Sequence, residues 1–370
     1  MTMVITGLGT AIPKGRVSQS DAYAATHQFC CNSDDHRRVM ELIYQGAGVQ
    51  ERGTVLLDEP IDTRVEAADF FQPRVDPEDR GPTTRERMQK YEQHALALAM
   101  HSCEEALAQA DQDVSDITHL VTVSCSGFYA PGFDIGLIQE LGLRPNTART
   151  HVGFMGCHGS FNALRVAKAF VDSDPNAVVL VCSVELCSLH HHYGWSMDKV
   201  IANALFADGA GAAVCRSASA CSLPAHAKYE LIRSDSHLLP NTTSAMSWSI
   251  GDNGFEMTLS QKVPALIETH LSGWTQTFLE KEGLTIDAIH GWAIHPGGPR
   301  ILDACKNALS LPGEAIAPAR EILAQYGNMS SATILFLLNR LKQEPLEGPV
   351  VALGFGPGLT IEAMLFESES

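Results

Sequence analysis

The chain has 370 residues, 45% of them apolar and 19% charged, with a formal net charge of -17. That length suits two domains or one large layered unit, and the composition is that of an ordinary globular enzyme. An acidic chain without a basic stripe excludes nucleic-acid binding, and no run approaches the ~18 apolar residues of a membrane helix, so no membrane insertion is expected.

The N-terminal MTMVITGLGTAIP reads as a strand and turn, without the charged and apolar regions of a signal peptide, so a cytoplasmic protein is expected. The ten cysteines, Cys221 among them, lack regular spacing and contain no CxxC pair. Reduced thiols are therefore expected, without a structural metal. Phosphate-bearing substrates need a local basic patch on so acidic a surface, for which Arg37, Arg38, Arg300 and Lys306 are available.

In chain order, helical periodicity over 85–110 precedes a strand at 119–124 and a helix at 160–173. Strands at 177–185 and 209–215, a helix at 262–282, a strand at 290–295, a helix at 331–343 and a strand at 349–356 follow. This alternation predicts an α/β architecture with covered sheets. DITHLVTVSCSG (116–127) and DAIHGWAIHPGG (287–298) share one layout of turn, strand and small-residue loop. The likeness predicts two similar halves, 1–220 and 221–370, divided near SASACSLPAH (217–226), with loops at the strand ends meeting in one site.

Four segments carry candidate chemistry. GFMGCHGS (153–160) places Cys157 at a strand-to-helix turn, where unpaired N–H groups favour a thiolate; a buried inert thiol is the other reading. WAIHPGGP (292–299) ends an apolar strand at His295, which serves either as a base or donor in a cleft or as a packed core histidine. QYGNMSSA (325–332) offers Asn328 as a neutral amide donor or a helix cap. GFGPG (354–358), with Gly354, Gly356, Pro357 and Gly358, forms either a site wall or a plain turn.

Together these segments resemble the chalcone and stilbene synthase family, the type III polyketide synthases, in a bacterial form. ITHLVTVSCSGFYAPG, GCHGSFNALRVAKAF, NALFADGAGAAV, HPGGPRILD, YGNMSSATILFLL and GFGPGLTIEAMLF occur in the family's order. The resemblance implies a thiolase-like α/β/α/β/α layered sandwich of two pseudo-repeated halves, normally a homodimer. It implies Cys157 as nucleophile, His295 and Asn328 as its partners, and Phe206 as a gate. The implied reaction is iterative decarboxylative condensation of malonyl-CoA onto a Cys-bound acyl starter, then cyclisation. No cofactor is implied. A single-round ketoacyl synthase-like acyltransferase and an inactive scaffold of the same fold are the alternatives.

This sequence departs from the plant pattern around the implied cavity. Met257 stands at a second gatekeeping phenylalanine, Trp248 at a small glycine, Cys125 at a threonine, and Cys187 and His190 at two further threonines. Ala130 replaces the methionine of the cis-proline loop that reaches the partner subunit. Leu42 and Gly46 occupy expected basic positions for coenzyme A, which leaves Arg300 and Arg38 as phosphate contacts, or an acyl carrier protein as donor. His190-His191-His192 suggests a metal, but adjacent residues point in alternating directions and chelate poorly. The bacterial flavour and Met257 favour a long-chain acyl starter giving alkylpyrones or alkylresorcinols, with a malonyl-primed tetrahydroxynaphthalene as competitor.

Overall fold

The computed structural model describes residues 2–57, 70–219 and 229–368. Strands β1 (Met3–Ala11) and β2 (Arg16–Ser18) lead into helices α1 (Gln19–Cys30) and α2 (Asp34–Gly46). Then come β3 (Glu51–Gly53), α3 (Thr84–Ala110), β4 (His119–Ser124), α4 (Phe133–Leu141) and β5 (Ala148–Gly153). The first half closes with α5 (Gly159–Ser173), β6 (Val178–Leu186), α6 (Met197–Leu205) and β7 (Asp208–Ser217). The second half contains β8 (Tyr229–Leu238), the hairpin β9 (Met246–Gly251) and β10 (Gly254–Leu259), and α7 (Val263–Glu280). It continues through β11 (Gly291–Ile294), α8 (Pro299–Leu309), α9 (Ala317–Tyr326), α10 (Thr333–Leu341), β12 (Gly348–Gly356) and β13 (Thr360–Ser368).

The two halves repeat one topology. Outward from the centre the first runs β1-β7-β6-β4-β5 and the second β8-β13-β12-β11. In both, the long C-terminal strand lies antiparallel to its neighbours and the inner βαβ pair is parallel: β4 with β6, β11 with β12. The segments 116–127 and 287–298, alike in sequence, supply the equivalent strands β4 and β11. One difference from two separate sheets is a short antiparallel ladder, Met3–Ile5 against Tyr229–Leu231, which joins them into nine strands. The division predicted near 217–226 falls largely on residues outside those described.

The strands form where apolar runs are continuous. β6 is buried along its whole length because helices cover both its faces. α3 packs on β1, β7 and β6 from outside. It opens with a capping box between Thr83 and Glu86, which satisfies two otherwise unpaired donors. α5 touches β4, β6, β7 and β13, and α10 touches β1, β7 and β11, so these two helices lie between the half-sheets. The turns that open them, at Cys157 and at Ser330–Ala332, therefore meet at the centre of the molecule. Among the described residues no helix is long and apolar enough to cross a membrane.

Candidate active site

β5 ends at Gly153, and a single 3-10 turn, Gly156–His158, carries Cys157 to the start of α5. Gly156 has φ +77°, and a Cβ there would meet the Pro357 ring at 2.4 Å. Glycine is thus required twice over, by conformation and by space. A Cβ on Gly356 would lie 2.2 Å from the His158 ring. The GFGPG loop therefore forms the wall against the Cys157 turn, and Phe355 and Pro357 line the cavities beside it.

His295 follows β11, fixed by its N–H to the Leu353 carbonyl at 2.8 Å. It is 1% exposed, and neither ring nitrogen has a hydrogen-bond partner among the described residues. Burial, with His158 nearby, drives its pKa down to about 3, so the imidazole is neutral. Asn328 is held at both ends. Its N–H donates to Leu205 O at 2.9 Å, its carbonyl accepts from Ala207 N at 3.0 Å, and its Oδ1 accepts from Ser330 N at 2.9 Å. With the side-chain oxygen accepting from Ser330 N, the amide's Nδ2 donor is left to act on the Cys157 thiol.

Cys157, His295 and Asn328 line one narrow cavity of about 20 Å³, with Phe206 and Met257 in its wall. Burial pushes the Cys157 thiol up to about 12, while the Ser330 hydroxyl and the Asn328 amide pull the other way. The expected help from the helix N-terminus is outweighed here. That field is worth roughly 0.3–1 kcal/mol to an anion, whereas removing an ion from water costs several kcal/mol. A thiolate at this position needs a positive partner, and His295 is the titratable base lining the same cavity.

The remaining predicted cavity residues surround this centre. Trp248 and Met257 are paired across the β9–β10 hairpin, and the Trp248 indole N–H donates to Cys125 O at 2.7 Å. Cys125 is tied to the nucleophile turn, its sulfur accepting from Gly156 N at 2.9 Å, and burial and Glu185 push its thiol well above the ordinary range. Cys187 lines the same chamber as Cys157 and Cys125. His190 stacks on Phe255 at 4.2 Å; its Nε2 donates to Ser126 O at 2.6 Å and its Nδ1 accepts from Phe255 N at 3.0 Å. His192 donates to Phe255 O at 2.8 Å. Among the described residues no group of His, Cys, Asp and Glu is arranged to hold a metal.

The sequence did not single out Ser126, Met246 and Glu185, which line the chamber with Cys157. Glu185 is 0% exposed, accepts from Cys125 N at 3.0 Å and from the Ser126 hydroxyl at 2.6 Å, and is bonded by the Ser331 hydroxyl. Its signal was available, because a lone carboxylate inside an otherwise apolar strand is rarely buried without purpose.

A larger apolar cavity of about 270 Å³ opens outside the site, between α2 and the start of α8. It shares Leu205, Leu259, Gly297 and Ile301 with the cavity at Cys157, so one wall runs from surface to nucleophile. Arg300 is exposed at its rim and forms no ion pair among the described residues. Arg38 is one turn from Leu42 on α2 and is paired with Asp35 at 3.4 Å on the open surface. Lys306, at the far end of α8, is not among the residues lining the cavity.

Residues 2–219 match the family model for the N-terminal domain of chalcone and stilbene synthases, and residues 230–370 match its C-terminal counterpart. The chain is 34% identical over 369 residues to an alpha-pyrone synthesis polyketide synthase-like protein, Pks18, of Mycobacterium tuberculosis, covering 98% of this chain and 91% of that one. It is 32% identical over 366 residues to the 1,3,6,8-tetrahydroxynaphthalene synthase of Streptomyces peucetius, covering 98% and 92%. The crystal structure of PKS-I from the brown alga Ectocarpus siliculosus superposes with a TM-score of 0.90 at 31% identity, over 100% of this chain and 98% of that one.

Proposed function

This chain belongs to the chalcone and stilbene synthase family and is a type III polyketide synthase, and from that premise we propose that Cys157, His295 and Asn328 carry out its condensation chemistry. The observation that carries the reading is the single buried cavity holding the Cys157 thiol, the unpartnered His295 ring and the Asn328 amide.

The Cys157 thiol passes its proton to His295 as sulfur attacks the carbonyl of an acyl-CoA. The coenzyme A thiol leaves with that proton, and the acyl group stays on Cys157. Malonyl-CoA then enters with its thioester oxygen between His295 and the Asn328 Nδ2. Carbon dioxide leaves, and the enolate charge is held by these two donors. Asparagine cannot protonate the carbanion, which attacks the acyl-Cys157 carbonyl carbon and expels the Cys157 thiolate. The lengthened thioester reloads and the cycle repeats before ring closure. Phe206, at 9% exposed in the cavity wall, shields these steps from water.

The pantetheine arm runs along the wall from Arg300 through Gly297 and Leu205, with Arg300 on the phosphates and Arg38 as an outer contact. A carrier-protein donor would account equally for Leu42 and Gly46 standing at the mouth in place of basic residues. Arg300→Ala is expected to raise the malonyl-CoA KM roughly three- to fivefold with kcat unchanged, and added salt should shrink the difference. An unchanged KM in steady-state kinetics removes Arg300 from the phosphate site.

We favour a long-chain acyl starter and an alkylpyrone or alkylresorcinol product. The mycobacterial relative, named for alpha-pyrone synthesis, supports a pyrone product, and flexible Met246 and Met257 lining the inner cavity, which can yield to an alkyl chain, support the long-chain starter. The malonyl-primed tetrahydroxynaphthalene route is favoured by the Streptomyces relative. Product mass spectrometry over a panel of acyl-CoA starters decides between them: alkylated pyrones or resorcinols support the first, and a starter-independent naphthalene overturns it.

We also propose a cytoplasmic homodimer. β5 ends the sheet with an exposed edge; Phe128, 45% exposed, lines a groove with Arg149 and His151 of that strand, and Met155, just after β5, is 38% exposed. Such an unpaired edge and apolar patch suit a second copy of the chain. Light scattering should give twice the 39.9 kDa chain mass; a monomer contradicts this assembly.

A further inference from the structure

We propose that Arg52 is a positioning residue that sets Phe206 and Asn328 as one unit. The argument starts from where its donors go. Arg52 lies on β3, is 1% exposed, and is hydrogen-bonded to no carboxylate among the described residues. Its Nη1 donates to Asn203 O at 2.7 Å and Phe206 O at 3.0 Å. Its Nη2 donates to Ala204 O at 3.0 Å and to the Gln19 side-chain oxygen. Gln19 in turn donates to Ala204 O at 3.0 Å and Tyr44 O at 3.1 Å.

Asn203 and Ala204 lie in the last turn of α6, where carbonyls lack partners within the helix and carry partial negative charge. A planar guanidinium can bridge three such oxygens at once; an ammonium cannot reproduce that fork. The chain leaves the helix through Phe206, and there Asn328 joins it in a short parallel ladder, through Leu205 O and Ala207 N. Phe206 comes from the first half of the molecule and Asn328 from the second. The Asn328 backbone is bonded to the residues on either side of Phe206, and the Phe206 carbonyl is bonded to Arg52. Arg52 lines none of the cavities at Cys157, so it acts through these two residues rather than on substrate.

A small displacement at a reacting centre costs up to about a hundredfold in rate. This inference rests on the roles of Phe206 and Asn328 proposed above. The test compares Arg52→Lys with Asn328→Ala in the full-length enzyme, measuring starter loading on Cys157, carbon dioxide release from malonyl-CoA and polyketide formation. Arg52→Lys is expected to load starter within about twofold of the parent, to lose at least about tenfold in polyketide kcat, and to release more carbon dioxide per product. Loading, decarboxylation and condensation falling by one common factor, or not falling, overturns the proposal. If Arg52→Lys does not fold, Gln19→Ala, which removes only the outer anchor, should raise the same ratio more modestly; an unchanged ratio is equally fatal. Should Asn328→Ala condense normally, the site assignment fails instead, whatever Arg52 does.

Discussion

Cys157→Ala is expected to form no polyketide, with product below about a thousandth of the parent rate, while still decarboxylating malonyl-CoA slowly. The two activities separate because they use different atoms. Condensation needs an acyl group on sulfur, and alanine offers no nucleophile. Decarboxylation needs only the two donors facing the malonyl thioester oxygen, and His295 and Asn328 are held by backbone bonds that do not involve Cys157. The thiol is 7% exposed and packed among apolar neighbours, so its loss should cost little stability and the variant should fold. Radiolabelled malonyl-CoA measures both products in one reaction. Condensation retained in Cys157→Ala transfers the nucleophile role elsewhere, with Cys125 or Cys187 first to be tested.

Asn328→Ala should show the opposite pattern: starter loads onto the cysteine, but extension stops. Loading uses Cys157 and His295, whereas enolate formation loses one of two donors. Removal of one such donor costs roughly 10²–10³-fold, about 3–4 kcal/mol of transition-state stabilisation. The backbone ladder to Leu205 and Ala207 does not depend on the side chain, so the loop should keep its place. Peptide mass spectrometry of the Cys157 segment reads loading, and product formation reads extension. Equal loss of both steps would make Asn328 a structural residue only, in keeping with its bond to Ser330 N.

Much of this was legible in the sequence, for identifiable reasons. The strand predicted at 119–124 matches β4 in both limits because its apolar run is bounded by an Asp-containing turn and a small-residue loop. The half-repeat was readable because equivalent turns must lead into equivalent strands. Cys157, His295 and Asn328 stood out because each ends or begins a regular element next to glycines, where a side chain can face a cleft.

What escaped the sequence depends on contacts between distant segments. The β9–β10 hairpin was not predicted, since its alternation is broken by polar residues, yet it sets Trp248 opposite Met257. The pairing of Phe206 with Asn328 joins two halves that share no local pattern. Arg52 carries no local signal in VQERGTV, and only the turned end of α6 makes it an internal clamp. The balance at Cys157 was also invisible. Helix position argues for a thiolate and burial argues against it, and the depth of burial is a property of the whole fold.

The most direct test of the central claim is to stop the reaction early and weigh the Cys157 peptide. After brief incubation with an acyl-CoA starter and malonyl-CoA, the account predicts a ladder on Cys157: the starter alone, then the starter lengthened by successive two-carbon ketide units. A starter that never lengthens on Cys157, or a ladder carried by another cysteine, would contradict it.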